Sequence, residues 1–202
     1  MKKIILSAAI LLANSALFAQ TKWAADKVHS TVKFSVPHLV ISEVEGQFKN
    51  FEGTIVSKTP DFNNAAINFN VDVKSIDTEN GDRDKHLLSA DFFDAEKYPQ
   101  MSFKSTSFKK VSGNKYTLLG NLTLHGVTKP AKFSVTYGGT AKDGYGNTKT
   151  GFKATGVINR FDYGLKWNAL TEAGGATVGK DVTIDLKLEL TQQKAPAATA
   201  AK

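Results

Sequence analysis

The chain has 202 residues, no cysteine and a formal charge of +7. That length supports one domain with a full core and is short for two, and the missing thiols exclude disulfides, lipoprotein acylation and thiolate metal sites. Lysines alternate with Asp, Glu, Ser and Thr and form no cluster, which reads as a solvated face and excludes a nucleic-acid patch.

Residues 1–19 read as a secretory signal peptide. Lys2 and Lys3 form a basic start, Ile4 to Leu12 an apolar core, and a small-residue exit ends at Ala19, with cleavage before Gln20. The apolar run is too short to span a bilayer and no second one follows, so stable membrane insertion is not expected. Losing Lys2 and Lys3 lowers the charge by two, to +5. An exported chain without cysteine fits the periplasm and must hold together by core packing.

Val28 to Val36 alternates, with Val32, Phe34 and Val36 on one face and Thr31, Lys33 and Ser35 on the other, the pattern of a half-buried strand. Pro37 ends it, and His38 to Ile41 is read as an apolar turn covering one end of the fold. Val44 to Ser57 reads as one long strand whose phase slips between Phe48 and Phe51, which predicts a bulge near Asn50. Ala65 to Val73 alternates cleanly, with Ile67, Phe69, Val71 and Val73 inward.

Asn80 to Pro99 holds the one convincing helix after the signal. Asn80 caps it, Asp82 and Asp84 suit the positive end of its dipole, and Leu87 and Leu88 give it an apolar side. Asp94 is read as the cap of a second single turn, Ala95 to Lys97, stopped by Tyr98 and Pro99. With Phe92 and Phe93 between the turns, the insert is expected to pack as a lid over a sheet edge or a barrel end.

Strands then resume. Met101 to Phe108 puts Met101, Phe103, Ser105 and Ser107 on one face, and Ser112 to Asn114 is a turn. Lys115 to Leu124 carries Tyr116, Leu118, Gly120, Leu122 and Leu124 inward. His125 to Pro130 reads as a hairpin loop into Ala131, Phe133, Val135 and Tyr137. Gly138 to Thr148 reads as a Gly-rich loop, and Gly151 to Ile158 as a strand with Phe152, Ala154, Gly156 and Ile158 inward. Asn159 to Asn168 reads as a second irregular cover, and Val178 to Leu190 as the closing strand. The tail, 192–202, is low in complexity and reads as disordered.

About eight strands with hairpin-compatible links define the fold class as all-β. The expected architecture is an extended eight-stranded antiparallel up-and-down barrel, lipocalin-like, with a short helical insert, in a single domain over 20–191. A barrel of this strand number can hold one small ligand, and long strands make its interior long and narrow, which suits a chain better than a compact molecule. Among thirteen phenylalanines, Phe34, Phe48, Phe69, Phe103, Phe133 and Phe152 are the expected channel lining. Leu118, Leu122 and Ile158 join them. Inward Gly46, Gly53, Gly120 and Gly156 either leave interior space or permit sharp coiling, and the residues alone leave both open.

Four stretches carry a resemblance: VHSTVKFSVPHL, VDVKSIDTENGDRDKHLLSADFFDAEKYP, LTLHGVTKP and NRFDYGL. Together they resemble the YceI-like family of periplasmic, polyisoprenoid-binding proteins, over essentially Lys22 to Leu190. The run R-D-x-H-L-x-S-x-D-F-F-D at Arg83 to Asp94 is the specific part. The resemblance implies an apolar channel that holds a long isoprenoid or similar amphiphile, in a carrier, reservoir or stress-related role. That ligand comes from the resemblance and not from spacing. An alternative of another class is an accessory protein or enzyme acting on an isoprenoid quinone or lipid.

The expectation is of a non-enzyme with no catalytic residue and no metal ligand. No serine sits in a nucleophile elbow, Asp162 has no identifiable partner, and His29, His38, His86 and His125 show no metal-ligand spacing. No cofactor is expected beyond a bound isoprenoid lipid or quinone; the partner is an amphiphilic lipid, and a homodimer is left open. Arg83, His86 and Phe92 are candidates for headgroup contact or lid, with Arg83 as a forked donor to phosphate. The competing reading, favoured by the motif's tie to turn formation, pairs Arg83 with a carboxylate such as Asp91 or Asp94 and pins the insert to the barrel. Mature protein from the cell envelope should begin at or near Gln20, and cytoplasmic full-length chain with Met1 intact would contradict export.

Overall fold

The computed structural model describes residues 20–169 and 177–194; the signal segment 1–19 and residues 195–202 of the tail lie outside the described residues. The strands are β1 Thr21–Ala25, β2 Thr31–His38, β3 Ser42–Phe48, β4 Phe51–Ser57, β5 Ala66–Asp72, β6 Ile76–Asp77, β7 Gln100–Ser112, β8 Lys115–Leu124, β9 Val127–Lys142, β10 Thr148–Asn159 and β11 Asp181–Gln192. One helix, α1 Gly81–Leu88, stands among the described residues, between β6 and β7. Asn80 caps it as the sequence predicts, its side chain accepting from Arg83 N at 3.0 Å.

Neighbouring strands run β4-β5-β7-β8-β9-β10-β11, and β1 joins β4 to β11 and closes the ring. Farther up the same seam β2 takes the place of β1 beside β11, and β3 pairs with β2. Counting β1 with β2 and β3 with β4, the result is a closed eight-stranded antiparallel barrel. The chain breaks at Lys49 and Asn50, where the phase slip was expected, and this lets both Phe48 and Phe51 bury, at 6% and 3% exposure. An unbroken strand would send one of the two outward.

The seam along β11 needs a special solution. β2 pairs with Thr183 to Lys187 and β1 with Leu190 to Gln192, so Glu189 falls between two partners. Its backbone groups cannot be left dry and unpaired. Ser30 Oγ accepts from Glu189 N at 3.0 Å and donates to Glu189 O at 3.2 Å, while Asp26 N donates to the same carbonyl at 2.8 Å. Outside this joint the Lys149 ammonium reaches Asp26 at 2.8 Å and Glu189 at 3.3 Å. That ammonium, helped by His29, holds the Asp26 carboxyl well below the usual carboxylate range, and Asp26 raises Lys149 in return.

Several expected elements differ. β1 was not foreseen, because a short strand whose one large buried side chain is Trp23 shows no period. In β7 a bulge between Ser105 and Ser107 shifts the phase, so Phe108 enters the core at 1% exposure. Ser105 Oγ then accepts from Ile67 N at 2.8 Å, satisfying an amide beside the bulge. The loop expected over His125 to Pro130 contracts to His125 and Gly126, both at positive φ (51° and 73°), and β9 starts at Val127. Most of the expected Gly138 to Thr148 loop is strand, with the turn confined to 143–147, where the Asp143 carboxylate accepts from Tyr145 N and Asn147 N. The single turn over Ala95 to Lys97 forms as expected, with the Asp94 backbone oxygen accepting from Lys97 N and Tyr98 N, but Asp94, at a φ of 45°, makes no side-chain cap among the described residues. The tip after β2 covers nothing, with Val40 79% and Ile41 86% exposed.

Candidate functional site

The two ends of the barrel differ. At the lower end Phe62, on the β4–β5 loop, turns inward at 2% exposure with a φ of 58°. Its ring meets Trp23 at 5.4 Å, Tyr137 at 5.6 Å and Phe152 at 5.1 Å between centroids. Tyr116 stacks on Phe108 and donates its hydroxyl to Asp61 O at 2.6 Å, tying the same loop to the wall. This is a packed aromatic plug, with burial raising the Tyr116 hydroxyl above its ordinary pKa.

Above the plug runs a cavity of about 210 Å³. All nine side chains expected to line a channel do so: Phe34, Phe48, Phe69, Phe103, Leu118, Leu122, Phe133, Phe152 and Ile158. Phe108, brought in by the bulge, and the inward face of β11 from Val182 to Leu190 also line it. Those eight steps of strand span ~26 Å, or roughly 20 Å along the axis once the strand tilt is taken out. The cavity is a slot, not a chamber. Lys33, Thr54 and Ser102 border it only from the outward phase of their strands. An apolar cavity of ~150 Å³ stays dry and takes up apolar molecules, so one of this size and lining excludes water and accepts hydrocarbon.

The upper end carries two covers. The first is the insert: Phe93 packs edge-on against Phe48 at 6.1 Å, and Leu87 and Leu88 pack on the core. The second is the segment after β10, a 3-10 turn over Arg160–Tyr163 followed by residues 164–169. Arg160 is 3% exposed and has no carboxylate partner among the described residues. Its guanidinium donates to Leu165 O at 2.6 Å, Trp167 O at 2.8 Å, Gly179 O at 2.8 Å and Val178 O at 3.1 Å. Desolvation lowers its pKa, yet the fork stays charged because four carbonyls replace its water. It therefore pins both flanks of this cover, and sequence reasoning missed it because its partners are backbone groups scattered over 165–179.

Between the covers lies a vestibule of about 200 Å³ that shares Phe34, Val36, Leu87, Phe92 and Val178 with the channel. Arg83, His86, His38 and Trp167 also line it. His86, Phe92 and Trp167 pack ring against ring, with centroids 5.0 to 5.1 Å apart. His86 Nε2 lies 3.1 Å from Asp91. The structure therefore brings the three candidate residues Arg83, His86 and Phe92 to one place.

The expected Arg83–carboxylate pair does not form with Asp91 or Asp94. Arg83 Nε donates to Thr78 Oγ1 at 2.7 Å and Nη2 to Thr78 O at 2.6 Å. Thr78, in turn, gives its N–H and hydroxyl to Asp84 at 2.9 and 2.6 Å. A threonine six residues before the helix acid satisfies both partners locally, and Asp91 is taken by His86. Arg83 Nη1 is left without a hydrogen-bond partner among the described residues. Asp26, His29 and Glu189 lie close enough to approach one ion, but the Lys149 ammonium already sits between the two carboxylates.

A closed antiparallel barrel with an apolar slot, an aromatic floor and a polar-edged mouth is a calyx, the form of a barrel that binds lipid. The YceI-like domain profile matches residues 23–190, and the chain belongs to the YceI-like family. It is 36% identical over 198 residues to a UPF0312 protein of Pectobacterium atrosepticum, covering 96% of this chain and all of that one. BcnA of Burkholderia cenocepacia has a similar crystal structure, with a TM-score of 0.70, 25% identity, and 82% of this chain and 98% of that chain covered. A polyisoprenoid binding domain from Saccharophagus degradans, implicated in plant cell wall breakdown, shares the fold with a TM-score of 0.63 at 15% identity, over 85% of this chain and 98% of that one.

Arg160→Met keeps the length of the side chain and removes its donors. It should lower stability by on the order of 3 kcal/mol, because several buried carbonyls lose their partner together. Denaturant unfolding reads this directly, and an unchanged midpoint would show that the cover does not depend on Arg160.

Proposed function

We propose that this protein binds one long-chain isoprenoid or a similar amphiphile in the periplasm, as a carrier or reservoir and not as an enzyme. The observation that carries the reading is the slot itself: about 210 Å³, apolar along its length, floored by aromatic rings and continuous with a vestibule edged by Arg83, His38 and His86. The signal-like residues 1–19 support export. No described helix is long and apolar enough to cross a membrane. The Saccharophagus degradans polyisoprenoid binding domain, which shares the fold, agrees with the same ligand class.

In this reading the chain lies along the nine predicted lining residues, and the head stays in the vestibule. Arg83 is held in place by Thr78 and keeps Nη1 for the head, while His86 and Phe92 form the adjoining wall with Trp167. An exposed single-charge contact is worth little, but a charge-assisted hydrogen bond in a half-buried corner contributes about 1.5–3 kcal/mol.

Binding of solanesol and of its phosphate to delipidated protein tests both parts. The wild type should bind both, and Arg83→Ala should weaken the phosphate by roughly tenfold or more while the alcohol changes little. The same variant should lose about 1–2 kcal/mol of stability from the Thr78 contacts. Equal losses for the two ligands would make Arg83 purely a structural anchor, and failure of the wild type to bind either would remove the lipid reading.

A further inference from the structure

An eight-stranded barrel is just wide enough for its inward side chains to fill it. This one directs many phenylalanines inward and still keeps a slot. The four buried glycines of the wall explain the difference. Each lies under the ring of a phenylalanine from the neighbouring strand. A Cβ on Gly53 would stand 2.5 Å from Phe69 Cε2, one on Gly46 2.7 Å from Phe34 Cε1, one on Gly120 2.7 Å from Phe103 Cε2, and one on Gly156 2.6 Å from Phe133 Cδ1. Real Cβ atoms do not approach rings so closely, so each ring occupies the space that any other residue would deny it.

Two of the pairs are directly cross-strand, Phe34 with Gly46 and Phe69 with Gly53. Phe103 reaches Gly120 on the diagonal, since its direct partner is Leu122. Phe133 meets Gly156 one step beyond the Thr155–Ser134 pair. Around the barrel the pairs fall on four different seams of the wall, β2–β3, β4–β5, β7–β8 and β9–β10. None of these glycines has a positive φ, so backbone conformation does not require them. All four rings border the channel.

We propose that these glycine–phenylalanine pairs are the specificity-determining elements of the channel: they lay four rings flat on the wall and so set the bore that an apolar chain must fit. The relevance to lipid choice rests on the function proposed above; the control of free volume does not. These glycines receive rings, a role beyond leaving space, and at Gly120 and Gly156 the Lys104 and Lys132 carbonyl oxygens, 2.6 and 2.8 Å from a would-be Cβ, bring neighbouring backbones close as well.

Gly53→Ala is the cleanest test, because only the Phe69 ring comes under 3 Å of the new methyl and no backbone atom does. The ring must then leave the wall and enter the slot. Two readouts are taken on the folded variants: xenon uptake by the cavity, which reports free apolar volume whatever the natural ligand, and solanesol affinity. Gly53→Ala should lower xenon occupancy and weaken solanesol by about tenfold. The double variant Gly53→Ala with Phe69→Leu should regain both, and Phe69→Leu alone should raise xenon uptake. Should Gly53→Ala fail to fold, Phe69→Leu still decides: xenon uptake no greater than wild type overturns the proposal. Unchanged xenon occupancy in folded Gly53→Ala overturns it as well. A xenon pattern as expected, with no solanesol binding by any form, upholds the pairs and rejects the lipid reading alone.

Discussion

Closure of the sheet is the constraint on which everything else depends. A channel exists only because the backbone hydrogen bonds run round the barrel without an open edge, and the difficult point is Glu189, where β1 replaces β2 along β11. Ser30 Oγ and Asp26 N take the two backbone groups that the change of partner strands would leave unpaired. The Lys149 ammonium then neutralises the carboxylates gathered outside the joint. If that seam opened, the slot would become a wet groove, and burial of its aromatic lining would be lost along with it. The joint is small in area and large in consequence.

Both covers at the mouth follow one design. In each, an arginine spends its donors on backbone or hydroxyl oxygen and none on a carboxylate. Arg160 is buried and its fork is consumed by four carbonyls, so it acts as a rivet for the 3-10 turn and its neighbours. Arg83 is half-buried, uses two of its three nitrogens on Thr78, and keeps the third at the vestibule. The same side chain thus does structural work in one place and remains open to a guest in the other, and the difference lies in burial and in the supply of nearby oxygen acceptors.

The sequence carried much of this in its period. Alternation placed the nine expected lining residues on the inward face, because a strand allows only two directions and the apolar one must be buried. What it could not carry were events that alternation does not encode. Phe108 enters through a bulge, Phe62 enters from a loop at positive φ, and β1 is too short to show a pattern. Of the two readings for Arg83, a carboxylate pair follows from charge alone, whereas in the fold a threonine close in sequence takes two of its nitrogens and Nη1 stays at the vestibule. The glycines were visible as inward glycines, but their role depends on which ring lies across the seam. That is a fact of register, and register appears only when two distant stretches are paired.

The central claim is that the slot is an apolar space made to hold a chain. Native mass spectrometry of the full-length gene product purified from bacteria without detergent, followed by organic extraction of the same sample, tests it most directly. The account predicts a population carrying one extra mass per chain, released by solvent and identified as a long-chain lipid. Bare polypeptide mass throughout, with no uptake when such a lipid is supplied, would contradict it.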